Sequence, residues 1–332
     1  MSLSMRRREF ITLLGGAAAA WPRAARAQQP VMPVVGWLSP RERQAEEDVL
    51  PLFRQGMGEQ GFVEGRNYAF DFQFADGHYD QIPAFAVELV RRRVDAIVAI
   101  TSTVAGRAAQ NATKTIPIVF ISGTDPVEAG LVQSLNRPGG NITGVVNSLT
   151  NMASKQLGLL RELLPNATTI AIITNPTNPG LTDVWAKDAE AAGAAIRRRI
   201  LLLNASTEGE IDRAFSHLVE SRAHALLIAP DPFLYGRIDH IIALAARHAV
   251  PTMYTRRSAA VAGGLVTYGV NTDNLHRVVG NYVGRILKGE KPGDLPVQQP
   301  TKFEFVINLK TAKALGIEIP PTMSALADEI IE

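Results

Sequence analysis

The sequence predicts an α/β protein made of two doubly wound, Rossmann-like lobes with parallel sheets. From Val34 onward, short runs of β-branched and aliphatic residues alternate with amphipathic helical stretches, which is the pattern of parallel sheets covered on both faces. This alternation passes through two successive cycles of about five strands each. About 305 residues remain beyond the first 27, and a single hydrophobic core rarely supports so many. Two lobes are therefore expected.

The first cycle begins at a buried strand, Val34–Leu38. The helix that follows has apolar or small residues at helical spacing from Val49 to Met57, and Gly61 is placed to end it. Aromatic residues alternate with smaller or polar ones from Tyr68 to Phe74, which predicts a half-exposed strand. A second amphipathic helix starts near Ile82. The remaining predicted strands are 96–100, 118–121 and 143–146.

The second cycle repeats this order. Its predicted helices are 152–164, 181–192, 208–221 and 236–248, and its predicted strands are 170–173, 196–203, 225–228, 252–254 and 265–268. A long helix at 275–288, a Gly/Pro-containing linker at 289–300, a strand at 303–307 and two short helices complete the chain. Since one helix and one strand remain after both lobes are built, the chain is expected to cross between the lobes more than once.

Polar residues follow most of the predicted strands at their carboxyl ends, where open α/β sheets bind ligands. Short hydroxyls, amides and single carboxylates occupy these loops in both lobes, and tyrosines end two later strands. Each residue alone is also explained as a helix N-cap. Their joint occurrence in both lobes favours a binding site. The loops are 39–40, 101–103, 122–126, 174–179 and 229–232, with Tyr254 and Tyr268 at the strand ends.

Several classes of site lose support from the sequence. The chain has no cysteine, which excludes disulfides, thiolate metal sites and a lipid anchor on a cysteine. Hydrolase, zinc-protease, P-loop and dinucleotide-binding motifs are absent, so no catalytic residue or cofactor is predicted. The six histidines lack metal-ligand spacing; His240 and His248 share a helix without an inward acid. The arginine clusters at 91–93 and 197–199 are expected to be solvated charge.

Residues 5–29 have the pattern of an export signal. Three arginines, Arg6 to Arg8, precede a short apolar run, and Ala25-Arg26-Ala27 fits a cleavage site. The pattern also matches a twin-arginine signal, with an ordinary Sec signal as the alternative.

The chain beyond the signal carries little net charge. Residues 1–27 have a net charge of +4 and the whole chain +2, so the remainder is near −2, which does not favour nucleic-acid binding. The apolar run of the signal is well short of the length that spans a bilayer, and no second such run follows. A freely diffusing periplasmic protein is expected.

Five segments carry a family resemblance: FRQGMGEQGFVEGRN (53–67), IPIVFISGTDPVEAGLVQSLNRPGGNITGV (116–145), APDPF (229–233), GGLVTYGVN (263–271) and LPVQQPTKFEFVINLKTAKALGIEIPP (295–321). Over nearly its full length, the chain beyond the signal resembles the periplasmic substrate-binding proteins of ABC uptake transporters, in the group that includes tryptophan- and tyrosine-binding members. The resemblance implies a type I periplasmic-binding-protein fold with three inter-lobe crossings.

The resemblance also implies a ligand site between the lobes. Its predicted residues are Ser39, Thr101, Ser102, Thr124 and Asp125 from the first lobe and Asn175, Asp231, Tyr254 and Tyr268 from the second or its edge. Hinges are expected at Asn147, Gly269, Asn271 and Pro296. The resulting domains are a cleaved signal at 1–27, a lobe of 31–146 plus 270–296, and a lobe of 147–269 plus 297–332. Thr101-Ser102-Thr103 stands where relatives often have Gly-Thr-Pro, and Trp37 where Phe is common, so the resemblance does not fix the ligand.

The expected function is capture of a small solute, either an amino acid or another small, possibly aromatic, carboxylate. The lobes would close on the solute, and the closed form would dock on a membrane permease. A sensor that presents its ligand to a membrane receptor or kinase needs the same fold and stays open as an alternative. A periplasmic enzyme is a third, weaker alternative, because the catalytic motifs are missing.

Overall fold

A computed structural model of the chain describes residues 32–100, 102–147, 152–271, 273–299 and 303–332. These residues form two α/β lobes, which confirms the predicted fold class. The export signal and Thr101 lie outside the described residues. The strands, in chain order, are β1 Val34–Ser39, β2 Ala69–Phe74, β3 Ala96–Ala99, β4 Ile118–Ser122, β5 Ile142–Val146, β6 Thr169–Thr174, β7 Arg199–Asn204, β8 Ala225–Ile228, β9 Thr252–Tyr254, β10 Val266–Val270, β11 Phe303–Asn308 and β12 Glu329–Ile331.

Helices cover both faces of the sheets. In chain order they are α1 Leu50–Glu59, α2 Ile82–Arg91, α3 Thr103–Ala112, α4 Met152–Leu163, α5 Pro179–Ala195, α6 Glu208–Glu220, α7 Pro232–Gly236, α8 Ile238–Arg247, α9 Arg257–Val261, α10 Asp273–Leu287, α11 Leu309–Ala314 and α12 Pro321–Leu326. Short 3₁₀ helices occupy Gln44–Glu46, Tyr79–Gln81 and Pro292–Asp294.

The first lobe is built on a five-stranded parallel sheet in the order β2-β1-β3-β4-β5. Alternate residues of each strand point to opposite faces, so β3 sends Val98 toward the core beneath α1 and α10 and Ile97 toward the core beneath α2 and α3. Both cores are apolar and fully buried, as expected for a central parallel strand. The carboxyl ends of all five strands meet at one edge of the sheet.

The second lobe is built on a seven-stranded sheet in the order β12-β11-β10-β9-β8-β6-β7, in which only the β10–β11 pairing is antiparallel. The prediction missed β12, because its three residues give no usable alternation. The predicted helix 236–248 corresponds to α8, and the prediction missed the short α7, which Asp231 and Pro232 start and which ends at Gly236 just before it. The predicted strand 196–203 begins only at Arg199, because Arg197 adopts a left-handed conformation (φ 56°) after α5.

The chain passes between the lobes three times, as expected. It leaves the first lobe between β5 and α4, returns between β10 and α10, and leaves again before β11. Val297 and Gln298 were assigned to the second lobe from the sequence. Their backbone amides instead donate to Leu135 O (2.7 Å) and Gly144 O (3.1 Å), so these two residues lie with the first sheet. The last passage therefore comes after Gln298.

Candidate functional site

The carboxyl ends of β1 and β4 carry buried hydroxyl groups that already have partners. Ser39 ends β1 and donates its Oγ hydrogen to Glu46 Oε1 at 2.5 Å. At the end of β4, Ser122 Oγ lies 2.9 Å from Thr103 Oγ1, which also lies 3.0 Å from Thr124 Oγ1. A compact cluster of three hydroxyls therefore stands where α3 begins. Ser122 Oγ also donates to Thr124 O at 2.8 Å, so the Thr103 and Thr124 hydroxyls are the members of the cluster that remain to interact with a ligand.

Two predicted residues of the first lobe accept hydrogen bonds from the backbone amides that follow them. Ser102 Oγ accepts from the Val104 amide at 3.1 Å and begins α3, the capping role that the sequence left open beside ligand binding. Asp125 Oδ1 accepts from the Val127 and Glu128 amides at 2.7 and 3.1 Å in the turn after β4. Asp125 nevertheless lines the larger inter-lobe cavity described below.

Asp231 of the second lobe is a buried carboxylate with five hydrogen-bond donors. Oδ1 accepts from Asn175 Nδ2 (3.0 Å) and from the backbone amides of Phe233 and Leu234, which it caps. Oδ2 accepts from Asn178 Nδ2 (3.0 Å) and from the Tyr79 hydroxyl (2.9 Å). Burial raises the pKa of Asp231, and the hydrogen bonds from Asn178, Asn175 and Tyr79 oppose that rise.

Tyr79 belongs to the first lobe, so its bond to Asp231 crosses the cleft. The ring follows β2, is 6% exposed, and its hydroxyl also lies 3.4 Å from Asn178 Nδ2. Burial, followed by the nearby charge of Asp231, raises the pKa of Tyr79 well above its usual value, so the hydroxyl stays protonated and donates. Asp231 therefore joins the lobes in this conformation.

Arg237 forms a second contact across the cleft. Its guanidinium lies 2.8 Å from Glu42 and 3.6 Å from Asp76, both in the first lobe, and 2.7 Å from Glu208 in its own lobe. The Arg237 side chain is 19% exposed. The Tyr79–Asp231 bond and the Arg237 ion pairs both join the two lobes, so the cleft is closed in this structure.

A cavity of about 630 Å³ lies between the lobes beside the hydroxyl cluster. Its walls are largely apolar, with Val87, Val104 and Ala108 from the first lobe and Leu181 and Val184 from the second. The polar and charged lining residues are Thr103, Arg107, Asn111, Thr124, Asp125, Glu128 and Asn178. A cavity of this size with a mainly apolar surface and a set of polar groups is typical of small-molecule sites.

Neither predicted tyrosine lines the 630 Å³ cavity. Tyr254 is 2% exposed, packs in the core beneath α6 and α8, and lines a second, smaller cavity. Burial raises its pKa strongly. The Tyr268 ring stacks on Phe303 with a centroid distance of 5.7 Å and is not among the lining residues of either inter-lobe cavity.

The four predicted hinge residues lie beside the crossings. The Asn147 amide donates to Ser122 O at 2.7 Å, and Asn271 Nδ2 donates to Glu304 Oε1 at 2.5 Å. The Pro296 carbonyl accepts from the Tyr282 hydroxyl at 2.6 Å. A Cβ at Gly269 would lie 1.9 Å from Thr255 O, so the close backbone approach there requires glycine.

Sequence reasoning missed Tyr79, Arg41 and Arg237, and it did not select Asn178 from the candidate loop 174–179. Tyr79 follows β2, whose strand-end loop is not among the candidate loops after β1, β3 and β4. Arg41 stands two residues after Ser39 in a loop that was considered. Reading every strand-end loop to its next helix would have included both residues.

No metal centre is indicated: among the described residues, no group of three or more His, Cys, Asp or Glu side chains could hold a metal ion. His240 has an acidic neighbour, Asp212 Oδ1, at 2.8 Å, but the pair lies at the surface between α6 and α8. In the part of the chain that the structure describes, no helix is long and apolar enough to cross a membrane.

The chain is similar in sequence and structure to several known proteins, substrate-binding proteins among them. A tyrosine-binding protein of Clostridioides difficile is 30% identical over 266 residues, covering 80% of this chain and 76% of that protein. A domain protein of Vibrio cholerae has 27% identity and a TM-score of 0.81, covering 90% of this chain and 99% of that one.

Two further solved structures differ in ligand state. A Streptococcus pneumoniae ABC domain in complex with L-Trp has 25% identity and a TM-score of 0.77, covering 90% of this chain and 100% of that one. The ligand-free, open structure of a Clostridium difficile substrate-binding protein with adhesive properties has 26% identity and a TM-score of 0.61, with 90% and 99% covered.

These likenesses confirm the predicted type I periplasmic-binding-protein architecture. The family described as ABC transporter substrate binding protein matches residues 42–331, almost all of the described chain. As this description states, members of the family bind the substrate of an ABC transporter. This chain belongs to the ABC transporter substrate-binding protein family.

Proposed function

We propose that this protein captures an aromatic amino acid, or a related small carboxylate, in the periplasm and delivers it to the permease of an ABC transporter without chemical change. The observation that carries the proposal is the 630 Å³ cavity, which has walls from both lobes and hydroxyls at one end. Apolar walls suit an aromatic ring, and the hydroxyl cluster suits an ammonium or carboxylate. The tyrosine- and tryptophan-binding relatives support the same ligand class.

The cleft contacts support a closure mechanism. Tyr79 and Asp231 can meet only when the lobes approach, so contacts that a solute makes to both lobes shift the equilibrium toward that state. The higher TM-score to the L-Trp complex than to the ligand-free, open structure also favours a closed conformation here. The chain passes between the lobes near Asn147, Gly269 and Asn271, and just after Gln298. We assign the hinges to these passages. Pro296, whose carbonyl accepts from Tyr282 of α10, would lie at the first-lobe side of the last one.

The predicted site residues that the structure describes divide into three proposed roles. Thr124 and Asp125 line the cavity and would contact the solute. Ser102 begins α3, whose first residue, Thr103, also lines the cavity. Asn175 and Asp231 would instead hold the closed lobes together through Tyr79. Ser39 would order the β1 loop through Glu46.

Isothermal titration calorimetry tests the proposal with L-tyrosine, L-tryptophan, L-phenylalanine, L-leucine and benzoate. At least one aromatic probe is expected to bind saturably and more tightly than leucine. Thr124→Val keeps the shape of the side chain but removes its hydroxyl, and is expected to weaken that binding about tenfold. Thr115→Val, at an exposed position of the same lobe, is the control. Unchanged affinity in Thr124→Val would show that the solute lies elsewhere.

We also propose that residues 1–27 direct export and are removed. The arginine pair Arg7-Arg8 and the Ala25–Ala27 site support export, and the twin-arginine route would require folding before translocation. Replacing Arg7 and Arg8 together by lysine should abolish periplasmic accumulation of the protein if that route is used. Undiminished export of the double variant would assign the signal to the Sec route.

A further inference from the structure

A second inter-lobe cavity contains buried cationic groups that the proposed solute site does not use. It measures about 240 Å³ and is lined by Arg41 and Asp48 from the first lobe and by Tyr235, Thr255 and Arg256, among others, from the second. It shares no lining residue with the 630 Å³ cavity. The two cavities therefore lie at different places in the cleft.

Arg41 is 5% exposed and incompletely bonded. Its Nε and Nη1 atoms are buried and have no hydrogen-bond partner among the described residues. Glu46 Oε2 lies 3.7 Å from Nη1 and Asp48 Oδ1 lies 3.6 Å from Nη2, distances that allow charge attraction but exceed a hydrogen bond. A buried guanidinium strongly favours acceptors at all its N–H groups.

Arg256 presents the same incomplete bonding from the opposite lobe. Its Nε is buried without a hydrogen-bond partner in the described part of the chain, while its guanidinium lies over the Tyr235 ring at 4.0 Å. The Tyr235 hydroxyl accepts from Thr255 Oγ1 at 2.7 Å, which leaves its own hydrogen available to donate. Three guanidinium nitrogens and one phenol therefore offer donors around a single cavity.

The charges around the cavity also favour an anion. Burial lowers the pKa of Arg41, Glu46 opposes this, and the charge of Arg256 lowers it further, so the two guanidiniums repel each other. The acids that line the cavity lie toward solvent: the Asp48 side chain is 59% exposed, and Asp239 is also exposed. Glu46 is buried but is engaged by Ser39.

We infer that this cavity binds a carboxylate, with Arg41 and Arg256 holding its oxygens from opposite lobes and Tyr235 donating a further hydrogen bond. A carboxylate only accepts hydrogen bonds, and its two oxygens match the fork of a guanidinium. The cavity volume suits a small organic acid. Because the arginines belong to different lobes, the bound acid also favours lobe closure. The inference does not depend on the solute proposed for the larger cavity.

Titration calorimetry with acetate, malonate and succinate at constant ionic strength tests this assignment, with the corresponding amides as neutral controls. At least one acid is expected to bind saturably, and its amide is not. Arg256→Gln should weaken that binding at least tenfold. Arg257→Gln is the matched control, because the neighbouring Arg257 pairs with Glu329 at the surface. Arg41→Lys keeps the charge but loses the fork and should also weaken binding, with thermal unfolding confirming that the variant is folded.

Two further measurements keep the outcomes separate. X-ray scattering should show a smaller radius of gyration when the acid is added to the native protein, and no such change for Arg256→Gln. Thr124→Val should bind the acid as the native protein does. The inference is wrong if no acid binds, if Arg256→Gln binds as tightly as the native protein, or if Thr124→Val abolishes acid binding.

Discussion

Asp231 shows how one carboxylate can be used twice. Its Oδ1 atom caps α7 and accepts from Asn175 within the second lobe, whereas its Oδ2 atom accepts from Tyr79 across the cleft. A carboxylate offers about four acceptor positions, and here five donors share them. Asp231 is thus fully engaged without a solute, and its effect on affinity would come through closure.

Tyr79→Phe isolates this effect. Removing the hydroxyl costs the closed state a hydrogen bond to a charged group, worth about 1.5–3 kcal/mol, while the open state loses nothing. Solute affinity should therefore fall about tenfold or more, with little change in the free energy of unfolding. Calorimetry and urea denaturation measure the two quantities.

Tyr68→Phe serves as the control for Tyr79→Phe. The Tyr68 hydroxyl is buried inside the first lobe with no hydrogen-bond partner among the described residues. Its removal should leave solute affinity unchanged. Equal affinities for the Tyr79 and Tyr68 variants would show that the Tyr79–Asp231 bond does not stabilise closure.

Glu46 provides a pH-dependent prediction. Burial raises its pKa above 4.5, against the opposing effects of Arg41 and Ser39. The folded protein then binds the Glu46 proton more tightly than the unfolded chain, so this contribution to stability is complete below about pH 4.5 and is lost as pH rises through the raised pKa. Glu46→Gln removes the titration, so the stability of this variant relative to the native protein should increase as the pH rises from 4 to 8.

Urea denaturation across that pH range measures the Glu46 effect. The exposed neighbour Glu47→Gln is the control. Parallel stability curves for native protein and Glu46→Gln would contradict the prediction.

The sequence identified several residues of the candidate site but not their partners. Asp231 and Asn175 follow strands, and the parallel topology brings their loops together without further information. Tyr79 reaches Asp231 only because the two lobes close, and the relative placement of lobes is not encoded in any local pattern. The same holds for Arg41 and Arg256, which line one cavity although they are 215 positions apart in the sequence.

At the scale of elements, α1 and α10 depend on a glycine contact. A Cβ at Gly56 would lie 1.9 Å from Arg277 O, and one at Gly280 would lie 2.1 Å from Phe53 O. Each glycine therefore faces the backbone of the other helix. This contact joins the return helix α10 to the first lobe, beneath the core that contains Phe53 and Val279.

Gly56→Ala should force these helices apart. Overpacking usually costs about 1–3 kcal/mol, and a clash with backbone places this variant at the upper end. Gly58→Ala is the control on the same helix, since a Cβ there meets nothing within 4 Å. It should instead stabilise the helix by about 0.5–1 kcal/mol. Urea midpoints of both variants test the pair, and a stable Gly56→Ala protein would contradict the close packing.

Element prediction succeeded where the hydrophobic period was long and failed where tertiary contacts decide. Strands such as β6 and β8 are apolar runs with clear turns on either side, and the structure places them as expected. β12 has three residues and forms because β11 offers an unpaired edge. The chain breaks between α7 and α8 at Arg237, whose side chain contacts Glu42 of the first lobe. Helical periodicity does not predict such a break, because it depends on a contact between lobes.

At the scale of the whole molecule, the two lobes meet through polar contacts. The Tyr79–Asp231 bond, the ion pairs of Arg237 and the two inter-lobe cavities all lie on the cleft surface, whereas the four apolar cores lie almost wholly within one lobe or the other. The exception is beside the crossings, where Val270 and Phe303 of the second sheet pack against the first-lobe core. Polar contacts can break and re-form in water at little net cost. Opening of the cleft therefore does not expose a core.

Arg237→Gln should weaken solute binding a few-fold, because two charge pairs to the first lobe, with Glu42 and Asp76, are lost from the closed state. Partly exposed ion pairs contribute about 0–1 kcal/mol each and are screened by salt. Raising the NaCl concentration should therefore reduce the affinity of the native protein more steeply than that of Arg237→Gln. Arg213→Gln, which removes a pair with Glu210 within α6, should retain the native salt dependence. If Arg237→Gln and native protein respond equally to salt, these charges do not contribute to closure.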